Sequence, residues 1–403
     1  MTKKKNKNFL LSAIQLRAGS DPWITIFVFI LALFGSLMVV STNVGQTISS
    51  PGIVLSTSVK QIITLLIGYI CMMAASKFFN FRFFSRIQVV VVIVMIVLMI
   101  LPFGFAESGG SHAWIRLPGG FTIQPAEFVK PLMILLVATA VYISKKKKHM
   151  ADSPKSLFYF PLRAMFFFTL ELVAQKDLGT LTIVFIIFFI CLLIPDYPTL
   201  IRFQRRLKLL AFAGVAAAVV LFGVTDIGTD ILAKTPFSHV AVRIENMKNP
   251  YEANKIYGES YQPANSLYGI GSSDFFGKGI GESARKYGYL TQADNDYILA
   301  VIIEETGIFG FGLIVLLYFL LIGRLFYFAF KTNEVVHKIV LGGTATYLFM
   351  HFFLNVGGVV CLIPFTGVPL LFISSGGSSL FAINMAIGVC QYSISRIRMK
   401  ETI

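Results

Sequence analysis

Long apolar runs alternate along the chain with short polar or basic connections, and each run is close to the roughly 20 residues a helix needs to cross about 30 Å of hydrocarbon. About ten such runs are present, near 23–42, 57–76, 87–103, 127–144, 157–174, 178–195, 209–226, 297–323, 338–361 and 377–395. The pattern predicts an all-α integral membrane protein, a polytopic bundle of about ten transmembrane helices forming a single membrane domain over 1–403. A basic N-terminal segment (1–22) and a short tail (396–403) flank it. Two connections are long: 104–126, and the stretch 227–296 between the seventh and eighth spans. Structureless loops of that length are uncommon. Tyr251, Tyr257, Tyr261 and Tyr268 weigh against disorder in the second, which predicts short helices lying at the interface.

Composition agrees, with 56% hydrophobic and 14% charged residues and a mean hydropathy of +0.75. The net charge of +15 reads as topology and not as nucleic-acid binding. With both termini cytoplasmic, about 24 of the 35 basic residues fall on the inner side. Lys60, Arg116, Lys130, Lys176, Lys234, Arg243, Lys248, Lys255, Lys278, Arg285 and Lys286 then face outward, against that bias. A phosphate-bearing substrate at the outer leaflet would supply the reason. Cys71, Cys191, Cys361 and Cys390 lie in or at the ends of apolar runs, which argues against disulfide or metal roles. No soluble catalytic domain is left over, so any chemistry must be built from span ends and loops.

The strongest chemical candidate is Gln292-Ala293-Asp294-Asn295-Asp296-Tyr297, two carboxylates where the long loop meets an apolar run. Acids are costly beside hydrocarbon, and one kept there marks a functional site by default. Helix N-capping is the structural alternative for Asp296, and Asp294 would shape the site. Glu127 and Lys130 stand three apart on one helical face, as a packing ion pair or as substrate contacts. Glu304 and Glu305 lie deeper in the eighth span and read as a polar packing network, Asp177 as a turn or cap. Gly376-Gly377-Ser378-Ser379 opens the tenth span, where backbone amides would accept an anion or small residues would allow close packing.

Five stretches together resemble the SEDS family of bacterial membrane proteins, which includes FtsW, RodA and SpoVE. They are Gly110 to Ile115 with Phe121 to Lys130, Gln175 to Thr180 (QKDLGT), Tyr261 to Gly281, Ala293 to Gly307 (ADNDYILAVIIEETG) and Asn355 to Ser379. The resemblance implies a peptidoglycan glycosyltransferase that joins lipid II units on the outer face of the cytoplasmic membrane, with Asp296 as the catalytic acid residue. Within the family, GIGES running into Lys286-Tyr287-Gly288-Tyr289-Leu290 looks most like the septal FtsW branch. Elongation duty, as in RodA, is the alternative. A lipid II flippase with Glu171, Glu304 and Glu305 along its path is the reading from another class.

The chemistry is consistent. Forming a β-1,4 bond from an α-linked diphosphate donor requires inversion, hence one base on the acceptor hydroxyl and cations on the leaving group. Lys130 and Arg243 lead as cations, with Arg116, Lys278 and Arg285 behind. Glu127, Trp114, Gln262, Ser266, Asp294 and Ser378 complete the candidate substrate contacts. The sequence assigns no cofactor, and a divalent cation, Mg or Mn, could bridge the diphosphate. No SxxK, SxN and KTG set is present, so a class B penicillin-binding protein transpeptidase and other divisome proteins are the implied partners. The chain departs from the family pattern at His112-Ala113, Lys176, Gln292 and Ser375.

Overall fold

The computed structural model describes residues 15–45, 50, 52–107, 111–117, 122–252 and 255–401. Lys3, Lys4, Lys5 and Lys7, and the motif residues Gly110 and Phe121, lie outside them. The helices are α1 (Pro22–Val44), α2 (Ile53–Phe78), α3 (Phe81–Ile100), α4 (Ala126–Ser144), α5 (Pro154–Ala174), α6 (Leu178–Leu193) and α7 (Ile201–Ala218). There follow α8 (Ile227–Ala233), α9 (Ser238–Lys248), α10 (Tyr261–Gly271), α11 (Ile298–Lys331), α12 (Val335–Val359) and α13 (Gly377–Glu401). Among the described residues nine helical stretches are long and apolar enough to span a membrane, and the 16-residue α6 makes a shorter tenth. The chain is therefore an all-α polytopic membrane protein. The long loop folds into α8, α9 and α10, short helices as its aromatic spacing predicts.

Span boundaries differ from expectation, most at the seventh and eighth spans. The seventh begins at Ile201 and the eighth continues to Lys331, so Arg202, Arg205, Arg206, Lys208 and Arg324 are helical and not connecting loop. Basic residues propagate a helix well, and their stems lie along apolar surface while the charge reaches water.

Helices α4, α12 and α13 are buried on most of their surface, and α12 packs against α4, α6 and α11. In contrast, α7 has no buried residue. At one end of the bundle, Asp21 caps α1 and receives Arg324 and Arg398, each at 2.7 Å, which locks α1, α11 and α13 together. The other end carries the long loops. There Gln175 donates to Met99 O (2.6 Å), Ser111 donates to Gln175 O (2.8 Å) and Gln124 donates to Asp177 (2.6 Å). Asp177 also caps α6 through Thr180 N. A two-stranded hairpin, β1 (Ile115–Arg116) and β2 (Thr122–Ile123), pairs Ile115 with Ile123 beside them.

Helix α11 is broken at Gly307, whose φ of 68° and ψ of −166° lie outside the helical range. Inside an apolar bundle the backbone groups freed by a break need partners. The preceding loop supplies them: Lys278 N and Gly279 N donate to the carbonyls of Glu304 and Glu305 (2.9 and 3.0 Å), and Phe309 N donates to Phe275 O (3.1 Å). The buried glutamates are neutralised from the same loop, Glu304 by Lys278 (2.7 Å) and Glu305 by Lys286 (3.1 Å), with Ser41 also on Glu305 (2.8 Å). This is the polar network their sequence positions predict, although loop side chains descend to build it. A Cβ on Gly307 would collide with Phe275 O and Gly277 N. Gly307→Ala should therefore cost more than about 2 kcal/mol, read as an earlier thermal unfolding transition.

Candidate active site

The loop that carries Asp294 and Asp296 is fastened by its own backbone. Ser375 N donates to Asp294 O (3.0 Å), Ser374 Oγ to Asn295 O (2.8 Å) and Asn355 Nδ2 to Asp296 O (3.0 Å). Three consecutive carbonyls are thus held by α12 and by the segment leading into α13, leaving both carboxylates unengaged by this clasp. Asn355 also donates to Val368 O (2.9 Å), and Leu370 N donates to Ser374 Oγ (2.9 Å). The loop 363–375 is therefore the floor on which Asp296 sits.

Asp296 does not cap α11. The helix begins after Tyr297 with no side-chain cap, and Asp296 Oδ1 is buried without a hydrogen-bond partner among the described residues. An uncapped, desolvated carboxylate resists ionisation. Burial pushes Asp296 up to about 7; the nearby Arg243 charge opposes this and Asp294 reinforces it. Burial in turn pulls Arg243 below its ordinary value, against the attraction of Asp296, Tyr297 and Asp177.

Arg243 faces a cavity of about 530 Å³ between α9, the start of α10 and the C-terminal end of α12. Ser238, His239 and Asn246 line it from α9, and Gln262 and Glu259 from the α10 side. Tyr297 and Phe365 form one wall, their rings stacked 4.4 Å apart at 10°. Polar hydrogen-bonding groups against aromatic faces suit an amphipathic, polyhydroxylated ligand with an anionic part.

The other candidate residues are distributed around this centre. Gln262 reaches the cavity and donates to Thr291 (2.6 Å). Ser266 is buried and donates to Val359 O (2.9 Å). Lys278 is committed to Glu304, and Arg285 donates to Asn265 (2.8 Å) and lies over the Tyr289 ring. Trp114 immediately precedes β1 and Arg116 lies in it, exposed. Ser378, in the first turn of α13, has a buried Oγ without a partner among the described residues. Glu127 and Lys130 lie in the core, paired at 2.5 Å, with Lys130 also 2.9 Å from His351 Nε2. Among the described residues no group of three or more His, Cys, Asp or Glu side chains stands together as a metal-holding set.

Sequence reasoning had not singled out Asn355 as a side chain or His351, Ser374 and His239 at all. A polar pair spaced i, i+4 in an apolar span, as His351 and Asn355 are, was the available signal.

A bundle of apolar helices with an acid whose Oδ1 is unpartnered among the described residues, a half-buried arginine and a polar cavity gathered at one end defines a membrane-embedded protein with a site at one membrane face. The chain belongs to the FtsW/RodA/SpoVE family of cell cycle proteins, whose profile matches residues 22–400. It is 30% identical over 369 residues to the probable peptidoglycan glycosyltransferase FtsW of Bacillus subtilis, covering 89% of this chain and 87% of that one. It is 32% identical over 292 residues to the peptidoglycan glycosyltransferase RodA of Mycobacterium tuberculosis, covering 70% of this chain and 57% of that one. In fold it is similar to a chain of a peptidoglycan synthase complex that coordinates polymerization and crosslinking (TM-score 0.69, 20% identity, 94% of this chain and 99% of that one). It is also similar to the rod shape determining protein RodA of Thermus thermophilus (TM-score 0.57, 20% identity, 94% and 97%).

Proposed function

We propose that this chain is a peptidoglycan glycosyltransferase that polymerises lipid II at the extracytoplasmic face of the bacterial cytoplasmic membrane, with Asp296 as the base. The observation that carries the assignment is the state of that carboxylate: it caps no helix, its Oδ1 is unpartnered among the described residues, and burial beside the Arg243 cavity raises it to about 7. A general base works best when its pKa lies near the working pH. Asp296 takes the proton from the acceptor's 4-hydroxyl as that oxygen attacks the anomeric carbon of the donor. The undecaprenyl diphosphate leaves from the opposite face, giving the inverted β linkage.

Diphosphate is a good leaving group, so cationic stabilisation replaces a second carboxylic acid. Arg243 fills that role, being a fixed cation that faces both the cavity and Asp296. Gln262 and the Tyr297–Phe365 wall offer hydrogen bonds and an apolar face to a sugar. The bias of basic residues toward the other end of the bundle supports an outward-facing site with both termini cytoplasmic. Septal duty is supported by GIGES-Ala284-Arg285-Lys286. A class B penicillin-binding protein is the fitting partner, since strands need crosslinking and a fold neighbour sits in a complex that couples the two.

The test is strand formation from purified lipid II by the chain in liposomes with that partner. Long strands support the assignment; lipid II translocation without strands would replace it with the flippase. Arg243→Gln should raise the KM for lipid II about tenfold. Because the Arg243 charge holds Asp296 down against burial, losing it should also move the rising limb of the pH–kcat profile above 7, which a pH series would show.

A further inference from the structure

Beneath the floor of the site, a second polar chain runs through the bundle. His351 and Asn355 occupy one face of α12 a turn apart, and they hold the adjacent carbonyls Pro369 O and Val368 O. His351 is fully buried, and a buried polar ring is costly unless both nitrogens are paired. Both are: Nδ1 lies 3.0 Å from Pro369 O and Nε2 lies 2.9 Å from Lys130 Nζ. A carbonyl oxygen only accepts and an ammonium only donates, so Nδ1 carries the hydrogen and Nε2 presents its lone pair. The neighbours therefore select one neutral tautomer of His351. Lys130 spends a second proton on Glu127 (2.5 Å), and Tyr347 OH reaches Glu127 from α12 (3.4 Å).

We propose that His351 is a positioning residue for Asp296: as a neutral spacer between the Lys130–Glu127 pair and Pro369 O, it fixes the loop that seats the carboxylate. The inference rests on the reading of Asp296 as the base. The loop it fixes touches the acid's own segment repeatedly. Ser374 and Ser375 hold Asn295 O and Asp294 O, and Gly367, at φ +70°, comes so close that a Cβ there would lie 3.6 Å from Asp296 Oδ2. Displacing Pro369 therefore displaces the floor under the carboxylate, and misplacement by about 1 Å costs on the order of a hundredfold in rate. His351 is not a catalytic residue: it acts through backbone, two residues from Gly367.

The role has a chemical signature. A glutamine amide supplies one donor and one acceptor, as the neutral imidazole does, whereas leucine fills the volume with neither. The full chain with its transpeptidase partner is assayed for strand formation from lipid II as His351→Leu, His351→Gln and Asp296→Asn, with thermal unfolding of each. His351→Leu should lower kcat by about ten- to a hundredfold with KM within about twofold, and His351→Gln should restore most of kcat. If the leucine variant does not fold, His351→Asn, too short to bridge both partners, takes its place with the same expectation. Parental kcat in the leucine variant, glutamine no better than leucine, or a loss that matches the unfolded fraction would each overturn the role. Asp296→Asn inactive beside a fully active His351→Leu defeats this inference alone. Asp296→Asn as active as the parent defeats the base assignment and the inference with it.

Discussion

Asp296→Asn is expected to stop glycan-strand formation, with kcat lower by at least about a hundredfold, the ordinary worth of a positioned general base. The substitution keeps shape and volume but removes the lone pair that takes the hydroxyl proton. It should not cost stability. Asp296 Oδ1 has no hydrogen-bond partner to lose among the described residues, and the side chain caps nothing. Burial raises the folded-state pKa from 3.8 to about 7, so between these values the folded chain binds more protons than the unfolded one. This group therefore favours the fold below about 4, and that contribution is lost as pH rises through about 7. At pH 8 the asparagine variant, which never carries the desolvated charge, should melt at or above the parent's temperature. In the parent, kcat should climb with pH through about 7. An inactive variant of undiminished thermal stability, still bound to its partner, is the expected pairing; full activity would remove Asp296 from the mechanism.

Lys130→Met is expected to destabilise strongly, by about 3–5 kcal/mol, because it leaves Glu127 charged and buried with, among the described residues, only Tyr347 OH at 3.4 Å. The cost should come mainly from the orphaned carboxylate. The double variant Glu127→Gln/Lys130→Met should then recover more than half of it, a coupling that a double-mutant cycle on the thermal transitions measures. The same experiment bears on function. Lys130 is 1% exposed and already shared between Glu127 and His351. If it serves through position, the double variant regains fold without regaining full kcat. If it meets diphosphate directly, KM for lipid II rises sharply in the refolded double variant.

Ten helices were legible in the chain because hydrocarbon thickness imposes a length on every span and water-free surroundings leave the backbone little choice but a helix. The site's location was legible for a related reason: a carboxylate is kept at a span boundary only against a penalty, and Asp296 stands at one. Span ends were less legible. Arg202 to Lys208 and Arg324 to Lys331 read as loop, but they extend their helices, since long basic side chains tolerate the interface that ends an apolar run.

What the amino-acid order determined, then, was membrane architecture and the acid at its boundary. Tertiary structure decided whether that acid capped a helix or stood free, and it did so through Ser374, Ser375 and Asn355, which hold carbonyls. Carbonyls are the same at every residue, so no side-chain pattern announces such a clasp. The break at Gly307 and the pairing of Lys278 and Lys286 with Glu304 and Glu305 were likewise settled only when the loop folded back onto α11. The Arg243 cavity and the His351 bridge join segments far apart in the chain, and their distances come from packing, which local sequence does not encode.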